Sequence, residues 1–173
     1  MLNMLRRQIG RRRLSDALLA RLATQARLPI FYEALGVADS IDGRFDMLAL
    51  HAWLVLDRLA GQGEQALAQV LVDDLFAHFD EALREQGAGD MGMNRRMTKM
   101  ADAFYGRLKA YRAAGDLETL TAALLRNVYR GDLARLEDAR ALAIYALAAR
   151  DRLAVADLTE GVPDFGEPAI LRP

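Results

Sequence analysis

The sequence predicts an all-α protein, a single compact multi-helix domain of about six or seven helices with no sheet. Three observations carry this reading. Apolar residues recur at spacings of three and four along nearly the whole chain, the stripe of an amphipathic helix. No stretch alternates with a period of two. Breaks at Gly36, Gly61 and Gly63, Gly87 to Gly92, Gly115 and Gly131 cut the stripes into pieces of helical length, and 173 residues suit one domain.

Residues 1–13 contain Arg6, Arg7, Arg11, Arg12 and Arg13 and no acid, with Leu2, Met4, Leu5 and Ile9 among them. A basic N-terminal arm is expected there. It either meets anionic headgroups or nucleic-acid phosphate, or is a frayed, solvated end. The helical domain is expected over residues 14–158. Leu14, Leu18 and Leu22 mark its first helix, ending near Leu28. Pro29 suits the first turn of a short helix, Ile30 to Leu35, closed by Gly36, with Phe31 and Tyr32 packing inward.

Ser40 or Asp42 is a cap for a helix from about Gly43 to Ala60. Phe45, Leu48, Ala52, Leu56 and Leu59 make one stripe, and Leu50, Trp53 and Leu54 extend it to most sides. Such a helix belongs at the centre. Its His51 reads as a hydrogen-bonded core histidine, since no cysteine or second histidine lies at ligand spacing.

Glu64 to Gln86 forms the next helix, burying Leu67, Leu71, Leu75, Phe79 and Leu83. Asp74, His78, Glu81 and Glu85 align on one side, as a metal site would need. Such sites draw ligands from several elements, so the face is read as solvated. The stretch Leu83 to Arg107, LREQGAGDMGMNRRMTKMADAFYGR, then turns through its glycines into a helix striped by Met93, Met97, Met100, Phe104, Leu108 and Tyr111. Arg95, Arg96, Lys99, Arg107 and Lys109 lie off that stripe. Seven acids stand against Arg84 between Glu64 and Asp90, and six bases against Asp102 between Asn94 and Arg112. Opposite charge predicts an antiparallel hairpin, with surplus basic charge left for a partner. Phe104 and Tyr105 are read as core or as partner anchors.

Leu117, Leu120, Leu124 and Val128 give a further helix that stops at Gly131. Asp132 caps the last one, with Leu133, Leu136, Ala143 and Leu147, to about Leu153. An irregular C-terminal tail is expected over 159–173, with Pro163, Gly166, Pro168 and Pro173 and with Phe165 as an anchor onto the body.

The net charge of −1 does not steer the whole chain toward nucleic acid or membrane. Without cysteine there is no disulfide, thiolate nucleophile or cysteine metal site. Lys99 and Lys109 are the only lysines. The arginine bias suits bidentate contacts, but it equally fits a GC-rich genome that also favours alanine. The longest apolar run, Met47 to Leu56, is interrupted by His51 and falls short of the roughly 20 residues a spanning helix needs. Neither serine lies in a nucleophile elbow, and no Walker loop, dinucleotide fingerprint, HExxH or CxxC occurs. The reading is a non-enzyme with no cofactor and no metal.

Phe31-Tyr32 through Gly36, the block FDMLALHAWLVLDRL, and above all LREQGAGD followed by NRRMTKMADAFYGR together carry a resemblance. The chain resembles the ubiquinol–cytochrome c chaperone family over roughly residues 28–150. The family signature is a similar LRE-x-G-x-G-D loop, a basic methionine helix and a closing AFYGR. Ala88, where a larger aliphatic residue is expected, and the extra glycine in Met91-Gly92-Met93 depart from it. The resemblance implies an all-helical assembly chaperone for respiratory complex III whose client is newly made cytochrome b. It implies a cytoplasmic protein, or one peripheral at the inner membrane, with ribosomal RNA, an anionic membrane surface and a small helical subunit as further partners. Asp90, Arg95, Arg96, Lys99, Phe104, Tyr105 and Arg107 are the expected partner-binding residues. The competing reading is a nucleic-acid- or ribosome-binding helical module with no chaperone role. A third, a metal-dependent enzyme on Asp74, His78 and Glu81, requires stoichiometric bound metal.

Overall fold

The computed structural model describes residues 2–85 and 90–168, which form seven α-helices and no strand. They are α1 (Leu2–Ala26), α2 (Pro29–Glu33), α3 (Ile41–Gly61), α4 (Gln65–Glu85), α5 (Asp90–Ala113), α6 (Leu117–Asn127) and α7 (Leu136–Ala154), with a 3₁₀ turn at Leu133–Arg135.

The helix expected at the centre is there. α3 buries thirteen residues, and α1, α4, α5 and α7 all pack on it. Ser40 caps it, accepting from the Gly43 amide at 3.1 Å. Gly43 is required, because a Cβ there would run into the Ala38 carbonyl of the incoming loop. Trp53 and Leu50 are almost fully enclosed, and truncating such a leucine to alanine costs about 2–5 kcal/mol.

The expected arm at residues 1–13 and the helix expected from Leu14 are one uninterrupted helix, α1. Gly10 is the one glycine inside it, and a glycine inside a helix costs only about 1 kcal/mol. Within α1, Leu18 and Leu22 enter the core, and the Ser15 hydroxyl donates to Asp74 Oδ2 at 2.6 Å, tying α1 to α4.

The α4–α5 hairpin is held differently from the ionic expectation. Asp74 is engaged by Ser15 and Arg12 of α1, and Asp80 by Arg84 of its own helix. The described ion pairs of α5 run instead to α3, Arg107 to Asp46 and Arg112 to Asp57. What joins α4 to α5 is aromatic: Phe76 and Phe104 meet edge to face at 5.5 Å, and Phe79 meets Phe104 at 6.4 Å. Such pairs add roughly 0.5–1.5 kcal/mol each beyond area burial. The glycine loop expected between the helices, with Gly87, Ala88 and Gly89, lies outside the described residues.

Asp116 opens α6 with a reciprocal cap through Thr119, and α7 packs along α6. α6 ends where Arg130 and Gly131 take positive φ and the Gly131 amide returns to the Leu125 carbonyl at 2.9 Å, the left-handed stop that glycine favours. The Asp132 side chain accepts from the Ala134 amide, so the cap serves the 3₁₀ turn before α7. The chain then runs back without helix, and Phe165 is buried against His51, ring centroids 5.0 Å apart.

Candidate partner-binding face

The expected partner residues separate by depth along α5. Arg95, Arg96 and Lys99 are exposed, and none of them has an ion pair among the described residues. Phe104 is fully buried and packs in the hydrophobic core. Tyr105, the next residue, is 51% exposed. Met93 is buried, while Met97 and Met100 are partly buried against the core, so the methionine stripe faces the body. Asp90 opens the helix, and its side chain lies outside the described residues.

Arg107 is engaged inward. Its guanidinium reaches Asp46 Oδ1 through Nη2 at 2.6 Å and Nε at 2.8 Å, and lies over the Phe45 ring at 5.0 Å. Arg130, from the end of α6, brings Nη1 to 2.8 Å from Asp46 Oδ2. The same nitrogen also donates to the Asn127 carbonyl. Asp46 is completely enclosed. Burial raises its pKa, and Arg107 and then Arg130 hold the rise in check.

Around this buried carboxylate the structure gathers a cleft of about 470 Å³. Arg96, Lys99 and Arg107 of α5 line one wall, and Arg126 and Arg130 line another. The floor is apolar, made of Ile41, Phe45, Leu83 and Met100. Arg126 and Arg130 were not among the expected residues. Their four-residue spacing across the end of α6 was legible, but nothing in the sequence brings that end to α5.

A second groove, about 590 Å³, lies on another side of α5. Leu56, Val72 and Leu108 form its apolar walls, and Tyr105, Lys109 and Arg112 also line it. The metal reading has no support in the arrangement of α4, since Asp74 is occupied by Ser15 and Arg12. His51 is enclosed too. Its Nδ1 donates to the Met47 carbonyl at 2.7 Å, so Nε2 accepts from the Tyr145 hydroxyl at 2.8 Å. Gln25 Nε2 donates both to Tyr145 Oη and to the Gly166 carbonyl. Every polar atom of the ring is used internally, and this histidine holds the fold.

The described residues thus form an all-helical body with open grooves on two sides of α5. The chain belongs to the ubiquinol-cytochrome C chaperone family, whose model matches residues 33–160. Among solved structures it is similar to the Cbp3 homolog from Brucella abortus, at 36% sequence identity over 95% of this chain and 98% of that one, with a TM-score of 0.82. No curated relative matches it. No described helix is long and apolar enough to cross a membrane.

Proposed function

We propose that the chain is a non-catalytic assembly chaperone for ubiquinol–cytochrome c reductase, taking newly made cytochrome b as its client near the ribosome and the inner membrane. The observation that carries this is the division of α5. Its apolar and aromatic stripe is spent on the body, while Arg95, Arg96, Lys99 and the half-exposed Tyr105 are left outside. The apolar groove beside Tyr105 supplies a surface for a client segment or a small helical subunit. The basic strip supplies attraction to ribosomal RNA or to anionic headgroups.

Crosslinking in vivo from positions 95, 99 and 105 tests the reading. Capture of cytochrome b at position 105 is the expected result, and normal assembly of the reductase in a deletion strain sinks the proposal. The module without a chaperone role predicts something else: tight binding of naked RNA whose logarithm falls with salt at a slope near the number of phosphates neutralised.

A further inference from the structure

We propose that the cleft between α3, α5 and the end of α6 is a binding site for the phosphate headgroup of an anionic phospholipid, with an acyl segment on its apolar floor. The inference deepens the membrane side of the proposed function by naming a ligand for the inner edge of the basic strip.

The charge is in place. Five cations line the cleft against Asp42 and the buried Asp46. Asp46 satisfies Arg107 and shares Arg130, while Arg96, Lys99 and Arg126 have no ion pair among the described residues. Like charges gathered around one opening repel each other, and an entering anion relieves that repulsion. The amino end of α3 opens at the same place with Ile41 and Asp42 and adds a partial positive charge.

The floor distinguishes the kind of anion. Ile41, 54% exposed, stands at the cleft with Phe45, Leu83 and Met100. These four residues also line an adjoining cavity of about 280 Å³, with Leu48, Phe79 and Ala82 on its apolar side and Arg27, Arg44 and His78 on its polar side. The four shared side chains are the apolar surface against which an acyl segment would lie. RNA has no use for such a floor, and the ring face a base would stack on is taken, since Arg107 covers Phe45. An acidic peptide brings N–H groups as well as carboxylates. The lining answers them with few acceptors, Asp42 and the Asn127 amide oxygen, because Asn127 Nδ2 is turned back to the Ala123 carbonyl. A phosphodiester brings acceptors only, which matches a wall of guanidinium and ammonium donors.

The test uses the full chain and two probes. The first is short-chain phosphatidylglycerol below its micelle concentration, titrated by calorimetry. One saturable equivalent is expected. The second is flotation with phosphatidylcholine vesicles, alone or doped with phosphatidylglycerol. Removing one cation near a charged surface weakens binding about fivefold, so Lys99→Gln with Arg126→Gln is expected to lose about 25-fold for both probes. Lys99→Arg with Arg126→Lys restores it. Lys109→Gln with Arg112→Gln removes the same charge from the other groove and is expected to leave the titration unchanged. Ile41→Ser is expected to weaken the lipid and to leave inorganic phosphate unaffected.

Equal losses for the two pairs, or no saturable equivalent, overturn the site. Inorganic phosphate displacing the lipid at equal concentration makes it a site for free anions and overturns the lipid assignment, as does tighter binding of RNA or of an acidic peptide. No client enters either lipid assay, and client capture is read at position 105 in the other groove, so this inference and the chaperone reading fail separately.

Discussion

Asp46 and His51 sit five residues apart on the same central helix, both fully enclosed, and they solve the burial of a polar group in opposite ways. Asp46 keeps a charge and meets two arginines that reach toward the cleft, one of them half exposed. His51 gives up its charge and is closed into a ring of neutral hydrogen bonds beneath the C-terminal segment. The first is an interior group in electrical contact with the surface, so charge arriving in the cleft is felt inside the second turn of α3. The second is sealed and holds the two ends of the chain together. A polar core group of this fold therefore either communicates outward or locks inward, depending on which helices cover it.

The strongest way to break this comparison is to delete the buried carboxylate. Asp46→Ala leaves Arg107, which is only 13% exposed, without a counterion, and is expected to cost about 3–5 kcal/mol in urea unfolding. The paired change Asp46→Leu with Arg107→Met is expected to recover most of that loss. A single-variant cost under about 1 kcal/mol means that water already serves Arg107, and the outward contact is then ordinary solvation.

Acid sharpens the contrast next. Burial lowers the His51 pKa from 6.5 to about 4, so the unfolded chain binds the proton first. This contribution to stability is complete above about pH 6.5 and is lost as pH falls toward 4, about 3 kcal/mol in all. Asp46, with its pKa raised by burial, slopes the other way, because the folded form takes up its proton first. Denaturant midpoints followed between pH 7 and 4 are expected to fall, and His51→Gln to flatten the fall. An unchanged slope in that variant removes His51 as the cause.

Tyr145→Phe comes third. It deprives His51 Nε2 of its donor and Gln25 of one acceptor, and a loss of about 1–2 kcal/mol is expected from thermal unfolding. The smallest effect is expected at Lys99→Gln, within about 0.5 kcal/mol of the parent by the same measurement, because this exposed side chain has no ion pair among the described residues. A larger loss would give Lys99 an internal partner and weaken the claim that it is available to a ligand.

Spacing carried the elements: the stripe on α3 marked the centre, and Phe165 stood out as the one aromatic residue of a proline-rich end. His51 was legible as a core residue because no second ligand lay near it. The pairing of charges was not legible. Counting acids and bases by segment matched α4 with α5, whereas contact is decided by which helices share a side, and that brought Arg107 to Asp46, 61 positions away. The same blindness hid Arg126 and Arg130. Phe104 and Tyr105 were both read as core or as anchors, although only Phe104 lies on the apolar stripe, and the structure follows the stripe by sending Phe104 inside and Tyr105 out.

The hydrogen bond from Gln25 to the Gly166 carbonyl spans 141 positions and has a consequence for synthesis. While this chain is being made, α1 emerges early and α6 with α7 can pair locally. The lid over His51, by contrast, exists only once residues 165 and 166 have left the exit tunnel. Until then His51 stays without the Phe165 ring and Gln25 without the Gly166 carbonyl, and closure over so long a separation is slow. A protein of a chaperone family thus passes through its own interval of exposed interior during synthesis, and it ends that interval when the Phe165 ring closes over His51.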